Sequence, residues 1–329
     1  AILYANLGSA YASSGETQKA AENFLKALEQ KPQDTDVLLN LSRLYESAND
    51  FKQAVTFYRK LLTLKPDDPG IQQSLAYCDY RTGDFLQAAS LFQALGKKND
   101  SVSVCNAAAA YIQAGELNRA SAILSPLLEN PFPIPRAYLL MAEVARLRKD
   151  YSGAEDYYEK ALRNDPDVVK VNIGRGRLYL DMKEWVKAEE AFRGALVKDP
   201  GSLDAVRGLI QVFIGKEEFQ EAIAQYERLA EKDPDNPAIT SSIGLVYLKM
   251  NKPKAALEIF QRILARNGQD AKAHTNAGLA YALMDDADNA LEEWDRALEL
   301  DPKLEPALRN KALLEEVMQG NKNEKTTSK

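Results

Sequence analysis

The chain has 329 residues, 45% of them hydrophobic and 27% charged, with a formal net charge of −6 and an isoelectric point near 5.2. An acidic balance excludes a broad, sequence-independent nucleic-acid footprint, which needs concentrated Lys and Arg, and no apolar run reaches the roughly 18 residues that span a bilayer. Two cysteines, Cys78 and Cys105, are too few for a disulfide framework or a zinc site and read as small buried apolar residues.

The first predicted helix carries Leu3, Leu7, Ala10 and Tyr11 on one stripe and breaks at Gly15-Glu16. A second stripe, Ala20, Ala21, Phe24, Ala27 and Leu28, stops at Lys31-Pro32, because a residue before proline is pushed out of the helical region. The same pair of helices recurs along the chain, with breaks at Asn49-Asp50, Gly83-Asp84, Gly115-Glu116, Lys149-Asp150 and Lys183-Glu184. Alanine marks the recurrence at 20, 54, 88, 120, 154, 188, 222, 256 and 290, a step of 34 residues with a single step of 32. Four residues after each Ala stands Phe24, Tyr58, Phe92, Leu124, Tyr158, Phe192, Tyr226, Phe260 or Trp294. A small column, Gly8, Ala76, Ala108, Ala142, Gly176, Gly244 and Gly278, is expected to receive these large side chains. Ser42 and Ile210 break it, and Ile210 implies a wider fit.

A period of this length predicts an array of stacked units rather than one globular core. The units run 1–34, 35–68, 69–100, 101–134, 135–168, 169–202, 203–236, 237–270 and 271–304. Unit three ends early at Gly96 to Asp100, and unit four leaves through Pro131-Phe132-Pro133-Ile134-Pro135, a stiff extended segment. Residues 96–135 are therefore where a hinge or a change of curvature is expected. Residues 305–319 read as a capping helix with a polar outer face, and 320–329 as a polar, disordered tail. The chain opens without Met and in phase with a repeat, so it reads as a trimmed fragment that a signal, an anchor or further repeats could precede.

The columns Leu7-Gly8, Tyr11, Ala20, Phe24, Ala27 and Pro32, echoed at Ile243-Gly244, Tyr247, Ala256 and Phe260, resemble the tetratricopeptide repeat. The resemblance implies an all-α fold, a right-handed superhelical α-solenoid whose first helices line a concave groove, and a role in recruiting partner proteins. It also implies an Asn column facing the groove, Asn6, Asn40, Asn106 and Asn276, whose amides can pair with a peptide backbone. The five-residue clamp with which some members grip chaperone tails is missing: of Ala5, Ser9, Asn40, Gly70 and Ser74 only Asn40 fits.

Catalysis has no visible basis. His274 is the single histidine and reads as a packing residue; no phosphate loop, metal-ligand spacing or nucleophile elbow is present, and no cofactor or metal is expected. Basic residues do cluster on consecutive first helices, at Arg136, Arg146, Lys170, Arg177 and Arg207, interleaved with Glu143, Asp181 and Asp204. They suit either internal ion pairs or an acidic or extended partner segment held by Arg forks. The expected function is a non-catalytic protein-interaction scaffold with Asn6, Asn40, Arg43, Arg136, Lys170, Arg177 and Arg207 in the groove. The alternatives are a self-associating assembly platform, hence a homo-oligomer, and the repeat portion of a larger enzyme such as a glycosyltransferase. The resemblance leans towards a bacterial envelope or periplasmic setting over the cytoplasm.

Overall fold

The computed structural model describes residues 1–96, 100–129, 134–163, 167–234 and 236–327, with side chains through residue 319. Among the described residues every regular element is an α-helix. The pairs are α1 (Ile2–Ser13) with α2 (Thr17–Gln30), α3 (Thr35–Ser47) with α4 (Phe51–Leu64), and α5 (Pro69–Thr82) with α6 (Phe85–Gly96). Next come α7 (Ser101–Gln113) with α8 (Leu117–Leu128), α9 (Pro135–Leu147) with α10 (Tyr151–Arg163), and α11 (Val168–Asp181) with α12 (Trp185–Lys198). Then follow α13 (Leu203–Gly215) with α14 (Phe219–Lys232), α15 (Pro237–Lys249) with α16 (Pro253–Arg266), and α17 (Ala271–Ala282) with α18 (Ala287–Leu300). A last helix, α19, covers Glu305–Thr327. Packing divides the chain into two compact units, Ala1–Leu178 and Tyr179–Lys329.

Local chemistry sets the helix boundaries. Asp34, Asp50, Asp68, Asp100, Asn236, Asp270 and Asp286 cap helix N-termini by accepting backbone N–H bonds; Asp34 Oδ1, for example, accepts from Asp36 at 3.2 Å and Val37 at 3.3 Å. Proline opens α5, α9, α15 and α16, where its missing N–H leaves no helical acceptor waiting. Within the pairs the chain turns through a left-handed residue. Three turns use Gly15, Gly83 and Gly115; six use Asn49, Lys149, Lys183, Glu217, Asn251 and Asp285, with φ between 55° and 63°.

The alanine ladder is the innermost layer: all nine of its members have zero exposure. That fits a close helix crossing that a longer side chain would prop open. The large residue four positions on fills the space beside it, and Phe24, Tyr58, Leu124, Tyr158, Phe192, Phe260 and Trp294 are at most 2% exposed. A Cβ on Gly8, Gly244 or Gly278 would lie 2.5–2.6 Å from the ring of Phe24, Phe260 or Trp294 of the same pair. Gly174 and Gly208, in the column of Asn6, meet the preceding pair's Tyr158 and Phe192 instead, at 2.6 and 2.2 Å. The Asn6 column is therefore partly a packing column, and its groove-facing character changes from pair to pair.

Two departures stand out. Ile210 occupies a seat that is small in most other pairs; it is 2% exposed, whereas Tyr226, its expected partner, is half-buried at the surface. Asp79 replaces the aromatic found at Tyr45 and Tyr111, is 1% exposed, and binds Arg59 Nη2 at 3.0 Å. Burial pushes the Asp79 carboxyl up to about 6, against the opposing pull of Arg59.

At the C-terminal end, Ala307 is fully buried and Leu304 and Leu314 pack with Trp294. The outer face of α19 differs from the expected polar one, since Leu308, Leu313 and Val317 are 42%, 61% and 52% exposed. The helix runs from Glu305 through Thr327. The expected hinge at 96–135 rests largely on residues 97–99 and 130–133, which lie outside the described residues.

Candidate partner-binding groove

In the N-terminal unit α1 touches α3 and α7 touches α9, and two hollows open along the first helices. The first has a volume of about 510 Å³ and is lined by Leu39 and Arg43 of α3, Ile71 and Tyr77 of α5, and Asn106 of α7, with Phe92 of α6 behind. The second, about 860 Å³, is lined by Ile112 of α7, Leu139 and Leu140 of α9, Val171 of α11, and the charged groups Arg136, Glu143, Asp167, Lys170 and Arg177. Arg136 Nη2 donates to Asn106 Oδ1 at 2.7 Å, so one hydrogen bond joins a side chain of each hollow.

The structure thus gathers Arg136, Lys170 and Arg177 about one hollow and places Arg43 in its neighbour. Asn6 and Asn40 are exposed on α1 and α3 and line neither. Arg207 belongs to the C-terminal unit, where it lines a separate hollow of about 650 Å³ with Ile210, Tyr226 and Ile239. The asparagine column does not form a uniform ladder. Asn106 accepts from Arg136, and Asn276 donates to Ser241 Oγ at 3.2 Å, so these two amides already hold neighbouring helices together.

Charge in the second hollow is unevenly matched. Glu143 is gripped by Arg146 through two bonds of 2.6 and 3.0 Å, and Tyr158 Oη donates to it at 3.4 Å. Lys170 Nζ lies 2.7 Å from Asp167, whose carboxyl is held below its ordinary value first by that bond and then by backbone N–H groups of the helix start. Arg136 has a neutral amide as its partner.

Tyr77, an aromatic that the sequence offers with Tyr80 for the groove or its rim, is 41% exposed in the first hollow and accepts from Arg81 Nη1 at 2.7 Å. Arg81 in turn lies 4.2 Å from the centroid of the Phe51 ring, and Phe51 meets Tyr77 edge-on. Tyr77 stands one turn before Arg81 on the same first helix, the spacing at which an aromatic and a cation meet.

Both cysteines and the single histidine are enclosed. Cys78 and Cys105 are buried, and burial pushes both thiols up, Cys78 to about 12. His274 is 6% exposed between Glu293 Oε2, at 2.5 Å, and the Gly268 carbonyl oxygen, at 3.1 Å, a packing position. Among the described residues no group of three or more His, Cys, Asp or Glu could hold a metal ion, and no helix is long and apolar enough to cross a membrane.

Models of the tetratricopeptide repeat match residues 11–78 and 213–278, residues 105–168 and 173–237, and residues 271–304. No curated protein matches the sequence. Among solved structures, the chain is similar to the APC/C hetero-tetramer Cut9–Hcn1 at 16% identity and a TM-score of 0.53, covering 90% of this chain and 58% of that one. It is similar to a tetratricopeptide repeat protein from Parabacteroides merdae at 16% identity and TM-score 0.53, covering 75% and 98%. Yeast Tom70 matches at 18% identity and TM-score 0.51, covering 95% and 80%. At these identities the likeness concerns the fold, an α-solenoid of helix pairs. With the family models spread over most of its length, the chain belongs to the tetratricopeptide-repeat family.

Proposed function

We propose that this chain is a non-catalytic scaffold that holds a segment of a partner protein along the first helices of its N-terminal unit. The observation that carries this reading is the pair of adjoining hollows on α3, α5, α7, α9 and α11, floored by apolar side chains and edged by Arg43, Tyr77, Arg136 and Lys170. Exposed aromatic and arginine side chains around an apolar floor are the composition of binding hot spots. An extended segment laid across successive first helices would meet both hollows in turn.

A photo-crosslinking residue placed at Gln73 or Gln113, each lining one of the hollows, tests the reading in the native host. The same label at Glu22, exposed on the second helix α2, serves as the control. The expected result is one dominant protein captured from both groove positions and absent from the control. Equal labelling at all three positions, or no capture in the groove, would remove the proposal.

A further inference from the structure

The second hollow carries more information than its shape. Its two carboxylates are already answered by cations of the same neighbourhood, Glu143 by Arg146 and Asp167 by Lys170. Arg136 is answered by the Asn106 amide, a neutral acceptor that takes one bond, whereas a carboxylate matches the guanidinium fork in both charge and two-pronged geometry. The hollow's lining includes apolar Ile112, Leu139, Leu140 and Val171, of which Leu139 and Leu140 are half-buried and the other two buried. A positively charged rim over an apolar floor, in a chain of net charge −6, is locally complementary to what the rest of the molecule repels.

We propose that this hollow takes a short acidic–apolar stretch of a partner protein, in which an Asp or Glu adjoins a branched or aromatic residue. This rests on the groove reading above and names the chemistry of its occupant. The apolar side chain sits on Leu139 and Leu140, and the carboxylate takes the Arg136 fork from Asn106. The exchange has a consequence next door. Once Arg136 turns to the incoming carboxylate, the Asn106 amide regains its acceptor in the first hollow, beside Tyr77 and Arg43. There it can pair with the backbone of the same segment. The Arg136–Asn106 bond therefore acts as a latch: an acidic residue in one hollow readies the other for the continuing chain.

The test uses the full chain and an immobilised array of nine-residue peptides combining Leu, Ile, Phe or Tyr with Asp, Glu, Gln or Lys. Peptides placing Asp or Glu beside the apolar residue should be enriched, and their affinity should fall as salt is raised. Arg136→Glu should weaken the enriched peptides at least tenfold. Asn106→Asp is the sharper variant, because it supplies the fork with an internal carboxylate at the position of the amide. It should also cost at least tenfold while leaving helicity by circular dichroism unchanged. Lys52→Glu, exposed on the second helix α4 and lining neither hollow, should bind as the native chain does. Enrichment that ignores the acidic position, native binding by Asn106→Asp, or an array that binds nothing would overturn the proposal. Acid-independent peptides whose binding is lost in Tyr77→Ala would still leave the broader groove reading standing, and the crosslinking experiment decides that reading separately.

Discussion

A single atom at residue 208 shows how the packing is specified. A Cβ there would lie 2.2 Å from the ring of Phe192, which has zero exposure. Gly208→Ala is therefore expected to destabilise the C-terminal unit by about 1–3 kcal/mol, the usual cost of overpacking. Gly268→Ala, whose nearest atom is a carbonyl oxygen at 3.7 Å, should stay within about 0.5 kcal/mol. Urea unfolding followed by tryptophan fluorescence compares the two, and similar midpoints would show that the ring at 192 yields easily. Gly208 also marks what the sequence did and did not disclose. The alanine ladder was legible because one steric demand repeats nine times at almost constant spacing. The Asn6 column is expected to face the groove at its four asparagines, while at 174 and 208 it takes the aromatic of the preceding pair. A column reports its distance from other columns in the chain, while the neighbour it meets depends on how far a ring from the next layer reaches.

At the scale of elements, the α4–α5–α6 junction uses polar groups where other pairs use an aromatic. Arg59 of α4 binds Asp79 of α5 at 3.0 Å and Asp84, before α6, at 3.2 Å. The Asp79 carboxyl, with an ordinary value of 3.8, rises to about 6 in the folded chain, so folding tightens its hold on a proton. Its favourable contribution is complete below about pH 4 and is lost as pH climbs through about 6. In Asp79→Asn this titration is absent. The stability difference between native chain and variant should therefore shift by about 1–3 kcal/mol across that window and be constant above about pH 7. Urea titrations at a series of pH values measure it, and a difference that is flat throughout would mean that the buried carboxyl keeps its proton no better than an exposed one. The Arg136–Asn106 bond is the comparable case in the groove. The two residues stand in different columns of adjacent pairs, 30 positions apart, so a contact of this diagonal kind has no imprint in the repeat pattern. The basic cluster was legible as composition; which cation faces a neutral partner was not.

Over the whole molecule, each unit is an array whose helices pack on their sequence neighbours, so stability is close to a sum of local terms. The two tryptophans, Trp185 and Trp294, both fall in the unit Tyr179–Lys329. Fluorescence then reports that unit, while far-ultraviolet circular dichroism reports all helices. A disruptive change in the other unit, Gly8→Val against the Phe24 ring, should shift the dichroism curve in urea and leave the fluorescence midpoint within error. Coincident shifts in both would show that the chain unfolds as one cooperative body. Tyr226 points to a wider property of such an architecture. Ile210 fills the seat in which its ring would otherwise be enclosed, and the ring stands instead at the mouth of a hollow beside Arg207. An interior residue becomes a surface aromatic through one substitution on the facing helix, with no new residue recruited to the exterior. New recognition features can thus arise in this fold from errors of fit, and a survey of its binding potential should begin with the seats that are too full.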